Sequence, residues 1–72
     1  MKDKKLEQHE QRVIEEATLL KEKIFNLQKF IEGNGAIYSS LHNKEKGDLA
    51  NQLVFMIQYE LILDSRIRRF YF

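Results

Sequence analysis

Gln52, Tyr59 and Arg66 recur every seven residues through the segment QLVFMIQYELILDSR. On a helix, seven residues is close to two turns, so an amide, a phenol and a guanidinium stack along one face. These groups suit recognition better than bond breaking: an arginine fork grips phosphate, and a phenol stacks on a planar group or holds the arginine in place. The competing reading is a polar seam that sets the register between subunits. A second candidate is the C-terminal SRIRRFYF, whose last seven residues hold three arginines and three aromatics. Arginines and aromatic faces are what single-stranded nucleic acids bind. The alternative there is charge complementing a helix C-terminus, with an apolar tail docked on a neighbour.

Catalytic chemistry finds little support. His9 opens HEQRV, which lacks the second histidine that a zinc-protease helix carries four residues on. His42 stands beside a helix start, where capping is the expected role. No phosphate loop, dinucleotide fingerprint or nucleophile elbow is present. Glu15, Glu16 and Glu22 lie among lysines, where surface i,i+4 pairs are expected before acid–base work. The chain is therefore read as a non-enzyme without cofactor or metal.

The totals set bounds. The 72 residues allow one small domain, with a core that is marginal on its own. There is no cysteine, so no disulfide and no thiolate metal site. Twelve basic and eleven acidic residues leave a net charge of +1, which argues against non-specific nucleic-acid binding. The longest apolar run, Leu53 to Leu63, is about half of what a membrane span needs. The polar start MKDKKLEQHEQ lacks the apolar stretch of a secretory signal, so a cytoplasmic location is expected.

The elements that must hold these groups are helical. Leu6, Val13, Leu20 and Leu27 are seven apart, and Ala17, Ile24 and Ile31 form the offset series of an a/d-like seam. Ile14, Phe25 and Phe30 widen the stripe. The first helix is expected over about 3–32, ended by Gly33-Asn34-Gly35, where the left-handed backbone of a C-cap is tolerated. A loop over about 33–42 follows, and its Ile37, Tyr38 and Leu41 are expected to fold back. The second helix is expected over about 43–69, with Asn43 as N-cap and firm structure only past Gly47. Its inner face is Leu49, Leu53, Met56, Leu63, Ile67 and Phe70. A strand over 53–63 is the alternative, disfavoured because no turn signal occurs nearby.

The fold class expected is thus all-α: one domain spanning 1–72, a two-helix antiparallel hairpin. Nine of the eleven residues from Leu53 to Leu63 are apolar, and one partner helix covers at most about half of such a circumference. Val54, Phe55, Ile57, Leu61 and Ile62 would face water in a lone hairpin. Assembly into a homo-oligomeric helical bundle removes that exposure.

One pattern goes further: Arg12, Glu16, Leu20, Lys23-Ile24, Leu27 and Phe30-Ile31, then Leu41, Leu49, Gln52-Leu53, Met56, Tyr59, Leu63 and Arg66-Ile67. It resembles the short phage proteins that act as anti-CBASS sponges, over roughly residues 12–67. The resemblance implies a helical-hairpin homohexamer working in the cytoplasm of an infected bacterium. It implies binding of cyclic di- or trinucleotide messengers, or a related nucleotide signal, between subunits without cleavage. Arg66 and Asn34 match ligand-binding positions of that family. With them, Tyr59 as a stacking or supporting group and Lys29 and Arg69 as further cations complete the expected site. The family's base-stacking tyrosine falls at Ala17 and its ligand-contacting lysine at Glu32, so the ligand is left open. The competing function is a small homo-oligomeric interaction or structural module with no nucleotide ligand.

Overall fold

A computed structural model describes residues 5–71. The described chain is helical: α1 (Gln8–Gly33), the single turn α2 (Ala36–Ser39) and α3 (Asn43–Tyr71). The expected start of the first helix near residue 3 falls partly outside the described residues. Residues 5–7 precede the helix. Glu7 is its N-cap and its extended backbone ends the helix there. The Glu7 N–H donates to Glu10 Oε1 at 3.0 Å, and the Glu7 carbonyl accepts from the Glu10 and Gln11 amides. The bond from the Glu7 N–H to the Glu10 side chain belongs to a capping box, and with the carbonyl bonds it satisfies donors a helix start otherwise leaves open.

At the other end of α1 the left-handed residue is Asn34, with φ 47° and ψ 42°, and neither flanking glycine adopts positive φ. Its N–H donates to the Ile31 carbonyl at 3.3 Å. Asparagine tolerates this region because its short amide bonds locally. Here Asn34 Oδ1 accepts from Ser39 Oγ at 3.1 Å, which ties the cap to α2.

The connection differs from a plain loop, since residues 36–39 form a helical turn. Tyr38 packs edge-on against Phe30, with ring centroids 5.6 Å apart at 88°, a favoured aromatic geometry. Leu41 is half-buried, but Ile37 is 72% exposed and does not fold back. Within one turn, consecutive residues point about 100° apart, so Tyr38 can turn inward only with Ile37 outward.

Asn43 is the first residue of α3 and not its cap. His42 takes that role: its Nδ1 accepts from the Lys44 N–H at 3.1 Å, and its carbonyl accepts from Lys46 N–H. The helix then runs unbroken through Gly47 to Tyr71; Phe72 lies outside the described residues.

The two long helices pack against each other through the expected seams. Among the described residues Val13, Ala17 and Leu63 are buried, and Leu20, Ile67 and Phe70 close around them. Leu63 is fully covered, while Ala17 retains 3% exposure. A small residue at Ala17 is what lets α3 approach closely. The remaining seam positions Leu6, Ile24, Leu27, Ile31, Leu49, Leu53 and Met56 are half-buried. Ile57, expected in water, is also half-buried, whereas Val54, Phe55, Leu61 and Ile62 are exposed.

The result is a rod, 53 × 18 × 16 Å. Its radius of gyration is 16.3 Å, against about 11 Å for a compact chain of this length. Two helices side by side cannot enclose a core, so only one seam is covered. Among the described residues, no helix is long and apolar enough to cross a membrane.

Candidate functional site

The helical repeat decides which groups meet. On α1, Glu16, the pair Leu19-Leu20 and Lys23 follow Arg12 by four, seven, eight and eleven residues, and so share one edge of the helix beside the seam. Across from them α3 presents Tyr59, one turn before the buried Leu63. Together with Glu15 these residues line an open groove of about 370 Å³. That lies within the roughly 300–1,000 Å³ of small-molecule pockets.

Tyr59 spans the groove. Its phenol donates a hydrogen bond to the Glu16 carboxylate. That bond, with a smaller contribution from burial, raises the Tyr59 pKa above its ordinary 10.0, while nearby Arg66 pulls the other way. Arg12, Glu15 and Lys23 form no ion pair among the described residues and face solvent. The groove therefore offers two cations, two carboxylates and a phenol to a visiting molecule, above the apolar Leu19 and Leu20.

On the opposite flank of the seam, Lys21 from α1 bridges Glu60 and Asp64 of α3, with Asp64 at 2.8 Å. The α1 glutamates thus do not make the expected i,i+4 pairs with lysine: Glu16 is engaged by Tyr59, and Glu15 and Glu22 form no ion pair among the described residues. The bond to Asp64, then that to Glu60, raises the Lys21 pKa above 10.5, and Lys21 lowers the Asp64 pKa below 3.8. The signs set a pH window. Asp64 contributes stability above its unfolded value near 3.8, and this is lost as pH falls through its lower folded value. Lys21 contributes below about 10.5, and this is lost as pH rises through its higher folded value. Both side chains are well exposed, so the network is worth at most about 1 kcal/mol. We expect the difference in thermal midpoint between the wild type and Lys21→Met to be constant from about pH 5 to 9. It should shrink below pH 4 and above pH 10.5, and in 1 M salt.

The expected site residues fall into two groups. Tyr59 lines the groove, and Arg66 stands one heptad beyond it, about 10 Å along α3. Arg66 is exposed and does not line the groove. Arg69 lies further along and donates to Ser65 Oγ at 3.2 Å. Gln52, the other end of the stripe, donates to the Met56 sulfur at 3.8 Å. Asn34 and Lys29 sit near the far end of α1, with Asn34 about 27 Å from Glu16 along the helix. The Asn34 amide nitrogen is left to donate, since its oxygen is held by Ser39. Lys29 Nζ lies 5.2 Å from the Phe25 ring centroid. One chain does not bring these two groups together.

Ala17 is packed against Leu63 between the helices. A stacking tyrosine has no room at that position in this chain. In the C-terminal motif Phe70 turns inward onto the core and Tyr71 stays exposed. No group of His, Asp or Glu among the described residues could hold a metal ion. Arg12, Glu15, Glu16 and Lys23 were not among the expected site residues. The signal that could have found three of them is their shared helix edge, at spacings of four and seven.

No curated protein and no solved structure matches the chain. The profile of one family does, over residues 7–69, which takes in all of α1, α2 and nearly all of α3. A match over that much of the sequence places this chain in the Sequestin family.

Proposed function

We propose that this protein is a phage anti-defence sponge that binds and sequesters a nucleotide immune messenger, a cyclic oligonucleotide or a related signal, without cleaving it. It would do so as an assembly of antiparallel hairpins, with six copies the number the anti-CBASS resemblance implies, in the cytoplasm of the infected bacterium. The observation that carries this reading is the mixed chemistry of the groove. Arg12 and Lys23 suit phosphate oxygens, which only accept hydrogen bonds. Glu15 and Glu16 suit the N–H and O–H donors of bases and ribose. A nucleotide carries both kinds of group on one small molecule. Arg66 would supply phosphate contacts from α3, Tyr59 a stacking face, and Asn34 and Lys29 contacts from the turn of a neighbouring copy. A name denoting sequestration fits binding without turnover.

The test is calorimetric titration of the intact assembly against cyclic di- and trinucleotides and cyclic ADP-ribose isomers. At least one ligand should bind and be recovered unchanged after release. Absence of heat with every one of them overturns the reading. The exposed apolar row Val54, Phe55, Leu61 and Ile62 favours a second reading, a module that assembles or binds helices without any nucleotide. It gives the silent titration together with a stable assembly.

A further inference from the structure

The row on α3 that faces away from α1 has an order of its own. With Gln58 taken as the centre, Phe55 and Ile62 lie on one side of the line and Val54 and Leu61 on the other, at 100° per residue. All four are exposed, Phe55 by 71%. Asn51 and Ser65 stand seven residues either side of Gln58 and close to the centre line. Near the two ends are Asp48 and Arg69, both exposed. Asp48 makes no ion pair among the described residues, where the Arg69 guanidinium bonds to Ser65 Oγ. The sequence along this face is therefore close to a palindrome in chemical character: acid, amide, apolar pair, amide, apolar pair, hydroxyl, base.

We propose that this face is a two-fold interface between copies of the chain, with α3 packed antiparallel on α3 of the second copy and the axis passing at Gln58. A two-fold axis perpendicular to the helices brings residue i opposite residue j wherever they are equally far from the centre on the same side. That sets Phe55 on Ile62 of the second copy, Val54 on Leu61, Asn51 on Ser65 and Asp48 on Arg69, each contact made twice. Apolar groups meet apolar groups and the acid meets the base.

The alternatives are worse on the same residues. A parallel pairing brings Asp48 beside Asp48 and the arginines beside each other, and aligns the helix dipoles. Sliding the antiparallel pair by one heptad sets Phe55 on Arg69 or Ile62 on Asp48. A single central glutamine, pairing with itself, is the kind of polar residue that fixes register in helical assemblies. Asp48 and Arg69 also complement the dipole of their own helix, but that does not require them to share a face with the apolar row. The interface names the first contact in the self-association invoked above. It rests on that association and not on the nucleotide.

The chain has no cysteine, so introduced thiols report cleanly. All the positions used are exposed, and the helix pair should fold in each variant. Gln58→Cys should form a disulfide-linked dimer on mild oxidation, because facing seam positions come within the roughly 4.4–6.8 Å that a disulfide spans. Phe55→Cys and Ile62→Cys should each stay largely unlinked alone and link efficiently when mixed. Asp48→Arg and Arg69→Asp should each weaken the dimer on the order of tenfold, and together restore it. Self-linking of Phe55→Cys as strong as the mixture, or an additive loss in the double charge variant, overturns the proposal. So does a monomer mass for the wild type, since the face would then serve another partner. These outcomes need no ligand. An assembly with the wrong linkage pattern refutes this interface and leaves the sponge reading standing. A correctly linked dimer that gives no heat with any nucleotide does the reverse.

Discussion

Leu63→Ala is expected to remove about 2–5 kcal/mol of stability, the range for deleting a buried leucine side chain. Leu63 is the one fully covered large side chain among the described residues. It sits where Val13 and Ala17 of α1 meet α3, with Leu20, Ile67 and Phe70 around it. A chain of 72 residues has a total stability of only about 4–11 kcal/mol on the usual per-residue scale. One methyl-rich side chain is thus a large share of what keeps the helices together. At about 4–8 °C per kcal/mol, the thermal midpoint should fall by about 8 °C or more. Phe55→Ala is the matched control, since it deletes a larger side chain from an exposed position. It should leave the midpoint nearly unchanged at low protein concentration and lower it only where the wild-type midpoint rises with concentration. A Leu63→Ala midpoint within two or three degrees of the wild type, followed by circular dichroism, would show that this seam is not what holds α1 to α3.

The packing was legible in the sequence wherever a helical period could carry it. Val13, Ala17 and Leu63 were all expected on inner faces, and so were the half-buried Leu6, Leu20, Ile24, Leu27, Ile31, Leu49, Leu53, Met56, Ile67 and Phe70, whereas Ile57 was expected in water and is half-buried. Val54, Phe55, Leu61 and Ile62 were expected to lack cover and do. Period alone does not say how two helices are rotated and slid against each other. For that reason Lys21 with Glu60 and Asp64, and Tyr59 with Glu16, were out of reach: each pair is about forty residues apart in sequence. Local exchanges at the helix ends were hidden for another reason. Asn34 and the glycines beside it all tolerate positive φ, and His42 and Asn43 can both cap. Choosing between such neighbours depends on one or two hydrogen bonds. Of the groove, Tyr59 was foreseen from its place in the heptad stripe. Arg12, Glu16 and Lys23 had been seen only as part of a pattern, because a charged residue beside a seam looks the same whether it is solvated or lines a site.

Arg66→Ala separates the two functions left for the stripe, and its expected effect on ligand is the largest among the site variants. Arg66 is exposed, and its charge pulls the Tyr59 pKa down. Removing it should change the stability of the single chain by less than about 0.5 kcal/mol. In a pocket between copies the same guanidinium would be partly desolvated against a phosphate. A charge-assisted hydrogen bond there is worth about 1.5–3 kcal/mol, so the dissociation constant should rise roughly 10- to 150-fold. The binding loss should come without a change in mass by light scattering. Tyr59→Phe provides the internal comparison. It keeps the ring but frees Glu16 from its hydrogen bond, which puts an unpaired carboxylate into the groove. Phosphate binding should weaken more with this variant in low salt than in high salt, where the charge of the Glu16 carboxylate, no longer damped by the phenol, is screened. If Arg66→Ala instead breaks the assembly and no ligand has been found, the arginine sets register between subunits. The stripe is then structural along its whole length, and the groove beside Tyr59 must be judged on Arg12 and Lys23 alone.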